Sequence, residues 1–177
     1  ALPILIFGEK GVGKSLFSKI IHVEGQRGLN NFQVVNCANK DLKQLEAELF
    51  GPDESICCLT KNQAGSVLLK EINQLPLAFQ VRLVQVLEDG GLPGGKLSFD
   101  VRILSSSSED LGQLVESGNF NSALHQYISQ IFVNMEPLRR RTQDIPLLVD
   151  YFFKVECKHA GLLLKKISDH AMKKLVN

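Results

Sequence analysis

Neither sign of charge dominates this chain. Its 20 lysines and arginines face 19 aspartates and glutamates, for a formal net charge of +1. That excludes the global basic field which draws a domain to nucleic acid. Long hydrophobic runs are missing too, and none approaches the length of a membrane span. The apolar start, Ala1 to Phe7, has no basic leader and no small-residue cleavage site, so no signal peptide is expected. The expected compartment is the cytoplasm, with thiols reduced. Paired cysteines are lacking as well. Cys37, Cys57, Cys58 and Cys157 show no C-x-x-C spacing and no matching histidines. Cys157 and His159 stand two apart, which on a helix puts them on different faces. No zinc site is expected, and the four thiols read as small apolar residues. Internal repeats and low-complexity tracts are absent.

What is present suits one good core with room for a small appendage: 177 residues, 44% hydrophobic and 22% charged. Strand-like and helix-like runs alternate. Leu2–Phe7, Phe32–Asn36, Ser66–Leu69, Val101–Leu104 and Ile131–Val133 read as strands. Leu16–Val23, Leu42–Phe50 and Pro76–Leu87 carry helical stripes. Such alternation predicts a mostly parallel sheet covered by helices. Ser105–Ser108 reads as a polar loop. After Pro137 the character changes: Arg139-Arg140-Arg141 reads as a solvated turn. Two helices follow, Ile145–Val155 and Ile167–Val176, with Gly161 between them.

The most informative stretch is Gly8-Glu9-Lys10-Gly11-Val12-Gly13-Lys14-Ser15. It follows the first strand and opens the first helix, the setting of a phosphate-binding P-loop. Glycines at 8, 11 and 13 let the backbone turn sharply and point N–H groups inward. The helix beginning near Lys14 aims its positive end at the same place. Lys14 is then expected to reach phosphate oxygens, and Ser15 to offer a hydroxyl to a magnesium ion.

The chain resembles a family, the central AAA+ ATPase domain of bacterial enhancer-binding proteins, the sigma-54-dependent transcriptional activators. Blocks beyond the P-loop carry the resemblance. They are Ile21-His22 through Arg27, Phe32 through Ala38, and Leu45-Glu46-Ala47-Glu48-Leu49-Phe50-Gly51. Asp100-Val101-Arg102-Ile103 and Pro137 through Leu148 complete the set. The resemblance implies an α/β P-loop NTPase (AAA+) core, a three-layer sandwich on a parallel five-stranded sheet, over residues 1–137. The start of a small helical lid would occupy 138–177.

The departures from the family pattern bear on function. The second nucleotide motif, G-T-L-F-L-D-E, reads Gly65-Ser66-Val67-Leu68-Leu69-Lys70-Glu71. The aspartate that supports magnesium is replaced by Lys70, and the glutamate that polarises water is kept as Glu71. At ~4 Å and an effective dielectric of about 20, one unit charge pair is worth about 4 kcal/mol before screening. This puts magnesium in doubt and leaves two readings of Lys70: its ammonium neutralises phosphate oxygens directly, or it swings into solvent and plays no part. The mobile loop that presses on the sigma factor is replaced by Ser55-Ile56-Cys57-Cys58-Leu59-Thr60. The arginine-finger block aligns with Phe120 through Ile128, putting Asn121 and Tyr127 at the finger positions. The sensor at the end of the fourth strand corresponds to Ser107-Ser108. Together these changes resemble degenerate, VpsR-type members of the family.

The expected function is a regulatory module that holds ATP or ADP, poor at hydrolysis and at engaging sigma-54. Glu71 is its vestigial catalytic residue; Gly8, Glu9, Lys10, Gly11, Val12, Gly13, Lys14, Ser15 and Lys70 hold nucleotide; no metal ligand is assigned. Expected partners are further copies in a dimer or ring, and RNA polymerase or a sigma factor. DNA would be reached through a domain outside this chain, and no membrane is involved. Two alternatives stay open, an active ATPase that remodels sigma-54 polymerase and a structural oligomerisation domain with a vestigial site. Some family members respond to cyclic di-GMP, and Arg27 matches an arginine that could meet it; the plainer expectation is a solvated cation. His22 and Glu24 are expected at the surface, Phe79, Phe99 and Phe152 in the core, and Pro93-Gly94-Gly95 in a loop facing a ring centre.

Overall fold

The computed structural model describes residues 1–38, 41–51, 57–90, 100–162 and 167–176. Ser55, Ile56, Pro93-Gly94-Gly95 and Phe99, singled out above, lie outside the described residues. Ala1–Met135 form one compact unit and Glu136–Asn177 a second.

In the first unit the elements run β1 (Ile4–Phe7), α1 (Lys14–Val23), β2 (Phe32–Asn36), α2 (Leu42–Phe50), α3 (Cys58–Lys61), β3 (Ser66–Lys70) and α4 (Leu77–Asp89). They continue with β4 (Arg102–Ser107), α5 (Leu111–Glu116), α6 (Ser122–Ile128) and β5 (Ile131–Asn134). The five strands form one sheet in the order β2-β3-β4-β1-β5, every pairing parallel. Ile4 of β1 stands opposite Leu104 on one side and Ile131 on the other. β1 therefore sits inside the sheet, and the chain leaving it passes straight to the strands' carboxyl ends, where ligands bind in open α/β sheets.

The central strands carry apolar runs, Ile4–Phe7, Val67–Leu69 and Ile103-Leu104, because both faces are covered. Period-two alternation divides their side chains between two cores. Leu5, Val67, Leu69 and Ile103 join the larger cluster with Leu45, Leu49, Leu83, Leu124 and Ile128 from the helices. Ile4, Ile6, Leu68 and Leu104 form the other, capped by Phe17 and Ile21 of α1. Helices thus lie on both faces of the sheet, a three-layer α/β arrangement.

Several sequence expectations need correction. Ser105, Ser106 and Ser107 are not a polar loop but the fully buried second half of β4. A short serine side chain fits between layers where the sheet nears the P-loop. α5 and α6, six and seven residues long, hold too little periodicity for a sequence signal; their ends are set by caps instead. Asp110 accepts from the Gly112 and Gln113 amides, and Asn121 from Leu124. Cys57 and Cys58, read as small apolar residues, are buried as expected, with Leu59, in and beside α3. The four cysteines are reduced and buried, and burial pushes the Cys58 thiol far upward.

His22 is not a surface residue. It is buried on α1, its Nδ1 is 3.0 Å from the Ser66 hydroxyl and its Nε2 is 3.1 Å from the Asn30 carbonyl. A carbonyl only accepts, so Nε2 carries the proton and Nδ1 accepts from Ser66. Arg27 is no solvated cation either. Its guanidinium donates to the Asp100 carboxylate and carbonyl and to the Gly65 carbonyl. The hydrogen bond from Arg27 holds the Asp100 carboxyl below the usual aspartate range. Its donors staple the loop after α1 to the strand entries instead of facing a ligand. Phe79 packs on the core against Phe50, and Glu24 is exposed as expected.

The second unit holds 3-10 turns at Leu138–Arg140 and Thr142–Asp144, then α7 (Ile145–His159) and α8 (Asp169–Val176). Arg141 pairs with Asp144. Gly161, at φ +65°, turns the chain after α7. Phe152, expected in the core, is 57% exposed. It lines an open apolar cavity of ≈ 440 Å³ with Leu138, Ile145, Leu148 and Ile167.

His22→Ala should lower the unfolding free energy by about 1–3 kcal/mol, because Ser66 and the Asn30 carbonyl lose their partner. Denaturant titration checks this; an unchanged midpoint with an unchanged slope would show that the two bonds contribute nothing.

Candidate functional site

β1 ends at Phe7 and the chain swings through Gly8–Gly13 into α1. Gly13 precedes the helix at φ +102°, a left-handed conformation that side-chain-bearing residues rarely adopt. No side chain caps α1 and no acidic residue occupies its first turn. Its leading amides are therefore available to an anion. Gly8 is needed for space: a Cβ there would come within 2.7 Å of the Met135 carbonyl oxygen. The Gly8 amide donates to the Ser107 carbonyl at 3.2 Å, which ties the loop to the end of β4.

Lys14 is the centre of the site. Only 6% exposed, it donates to the carbonyls of Gly8 at 2.7 Å and Glu9 at 3.1 Å. The same ammonium lies 3.3 Å from Glu71 Oε1. Glu71 follows β3 in a left-handed conformation, φ 54° and ψ 54°, and is buried. Its other oxygen accepts from the Ser108 hydroxyl at 2.6 Å, and its amide donates to Ser106 Oγ at 3.3 Å. The positive φ directs Glu71 back toward the loop, an arrangement worth about 1–3 kcal/mol of local strain. The contacts to Lys14, Ser106 and Ser108 hold it there.

A cleft of ≈ 210 Å³ opens beside this assembly, lined by Gly11, Gly13, Lys14, Ser15, Leu16, Lys70 and Glu71. The structure thus gathers Gly11, Gly13, Lys14, Ser15, Lys70 and Glu71 around one space. Gly8, Glu9, Lys10 and Val12 do not line it; Gly8 and Glu9 act through their carbonyls on Lys14, and Lys10 is exposed. Leu16, 62% exposed at the lip, was not assigned a role from sequence, although its place one residue after the P-loop serine is a usable signal. Ser106, which accepts from the Glu71 amide, has no sequence signal, because a serine run carries no periodic signature.

The Lys70 ammonium makes no hydrogen bond and no ion pair among the described residues. The cleft's protein donors for a metal are the Ser15 hydroxyl and the Glu71 carboxylate, and the latter is already engaged. Among the described residues no group of three or more His, Cys, Asp or Glu could hold a metal ion. Elsewhere, Asn121 caps its own helix at 2.9 Å and is anchored through its amide to the buried Gln80 side chain at 2.7 Å. Tyr127 is half-buried against the core, and burial raises its phenol above the usual value. No helix among the described residues is long and apolar enough to cross a membrane.

A glycine-lined loop between strand and helix, with a buried lysine at the carboxyl edge of a parallel sheet, defines a P-loop domain. The same architecture, at 18% identity and a TM-score of 0.53, occurs in the P-loop NTPase domain of a sigma-54 transport activator from E. coli, over 77% of this chain and 84% of that one. This likeness speaks for the fold alone. Residues 1–134 match the Sigma-54 interaction domain, and the chain belongs to that family. It is 34% identical to the DNA-binding transcriptional regulator NtrC of Azospirillum brasilense, over 98% of this chain and 39% of that protein. It superposes on NtrX from Brucella abortus, solved in complex with ADP, with a TM-score of 0.88 at 32% identity; the match covers 99% of this chain and 41% of that one. The chain thus spans about two fifths of the length of these relatives.

Gly8→Ala should destabilise the fold by about 1–3 kcal/mol through overpacking against Met135. Thermal unfolding of the variant tests this, and a melting temperature equal to that of the parent would contradict the close approach.

Proposed function

We propose that this chain is the nucleotide-binding AAA+ module of a bacterial transcriptional regulator, one that holds ATP or ADP and turns it over poorly. The observation that carries this reading is the cleft itself. Open helix amides, Lys14 and Ser15 stand ready for phosphate, while the side chain at the metal-supporting position of the second motif is an ammonium, Lys70. Two lysines against one carboxylate leave the cleft positive, as an anionic ligand requires. NtrX has been solved with ADP and with ATP, which supports nucleotide as the ligand here.

Poor hydrolysis follows from what faces the phosphates. Glu71, the residue that would polarise water, is held by Lys14 and Ser108. Asn121 and Tyr127, at the positions read as trans-acting fingers, carry no positive charge. An arginine supplied in trans is worth ~10³–10⁵ in rate in related phosphoryl transfer. Weak engagement of sigma-54 is consistent with Cys57, Cys58 and Leu59 being held in the core. In this reading nucleotide occupancy sets self-association into a dimer or ring within a cytoplasmic regulator, and DNA is met through another part of the protein. Residues 1–137 are the core and 138–177 the start of a lid; the division of the chain next to Met135 supports that assignment.

The competing reading, an active ATPase, draws on the presence of Glu71 beside an intact P-loop. Phosphate release at high protein concentration separates the two. Expected is ADP binding that is lost in Lys14→Ala by at least about a hundredfold, with release no faster than in the Lys14→Ala control. Sustained turnover that Lys14→Ala abolishes would overturn the proposal in favour of the enzyme.

A further inference from the structure

The cleft agrees poorly with a magnesium ion. Of its side chains only Ser15 and Glu71 offer oxygen, and both Glu71 oxygens are engaged, one by Lys14 and one by Ser108. Lys70 brings a second ammonium to the same space with no partner of its own among the described residues. It ends β3, directly beside Glu71, and its strand is fixed by pairing on both sides. An ammonium anchored at that strand end repels a divalent cation at close range and attracts phosphate oxygens there. Its small, strongly hydrated charge and flexible stem suit it to a phosphate cluster.

We propose that Lys70 is a built-in counter-ion, so that this domain takes up its nucleotide as the magnesium-free polyphosphate. The inference rests on the nucleotide-binding reading above and adds the ionic form of the ligand. Complexation by magnesium removes two negative charges from a nucleoside di- or triphosphate. The free form therefore gains an attraction to Lys70 that the complexed form lacks, and the complexed form adds a repulsion. Magnesium should weaken binding, the opposite of what a carboxylate at position 70 would produce.

Calorimetric titration of the full chain with ADP, in EDTA and again in excess magnesium, tests this. Expected is binding about tenfold tighter in EDTA, equivalent to 1.4 kcal/mol. Lys70→Ala should lose about tenfold in EDTA, and Lys70→Asp should bind more tightly with magnesium than without. Binding by the parent protein that needs magnesium would overturn the inference and leave the nucleotide reading standing. Equal affinity of the parent and Lys70→Ala in EDTA would overturn it too. If the variants do not fold, the parent's own magnesium dependence decides. No uptake in either buffer at millimolar ADP would defeat the nucleotide reading itself, and this inference with it.

Discussion

The site depends on one buried cation. The Lys14 ammonium gathers two P-loop carbonyls and the Glu71 carboxylate within 3.3 Å. Glu71 then reaches Ser108 beyond β4, and the Gly8 amide reaches the Ser107 carbonyl at the end of that strand. One ammonium thereby links the carboxyl ends of three strands. Charge-assisted bonds of this kind are short and worth roughly twice a neutral one. A buried ion with one partner removed costs ~3–5 kcal/mol, which is why such an ensemble keeps its geometry. The cost of desolvating Lys14 is met within the fold, by the two carbonyls and the carboxylate that surround its ammonium.

The sheet was legible because its strands are buried on both faces. Runs such as Ile4–Phe7 and Ser66–Leu69 have no polar alternation to confuse with a helix, and the strand positions followed. The P-loop was legible for a different reason: its glycines answer to backbone geometry, not to packing, and a positive φ at Gly13 leaves few substitutes. Ser105–Ser107 misled because serine's polarity argues for a loop, whereas the sheet needed small side chains there. His22 and Arg27 misled in the same way. Their polar atoms are satisfied by Ser66, Asn30, Gly65 and Asp100, far away in sequence, so only the folded chain shows that they are structural. Phe152 erred in the other direction, since apolar character predicts burial only where something is available to pack on it.

The cleft's chemistry was partly legible. Lys14, Ser15, Lys70 and Glu71 could be named from the two motifs, but not their mutual engagement. The left-handed turn at Glu71, which swings its carboxylate toward Lys14 and Ser108, has no sequence signature, because an acidic residue at φ 54° is an exception to backbone preference. Nor does sequence reveal that Lys70 lacks a competing carboxylate. Both facts concern which charges meet, and charge pairing across a sheet is fixed by register: Asn36 stands opposite Lys70, and no acid is there.

Asn121 shows what the residue at the position read as a finger does for the chain that carries it. An N-cap asparagine contributes ~0.5–2 kcal/mol to its helix through the bond to an orphan amide. α6 is only seven residues long, too short to persist on propensity alone. Its apolar residues Leu124 and Ile128 are both fully buried in the larger core. An arginine at 121 has no acceptor oxygen and could not make that bond. At this position local stability and a projecting cation are therefore alternatives, and this chain has the cap. Lys70 presents no such conflict: it ends β3 half-buried, where no helix cap is needed, and its ammonium has no partner among the described residues. Position 121 thus carries a cap and no positive charge, while the positive charges of Lys14 and Lys70 stand in the cleft.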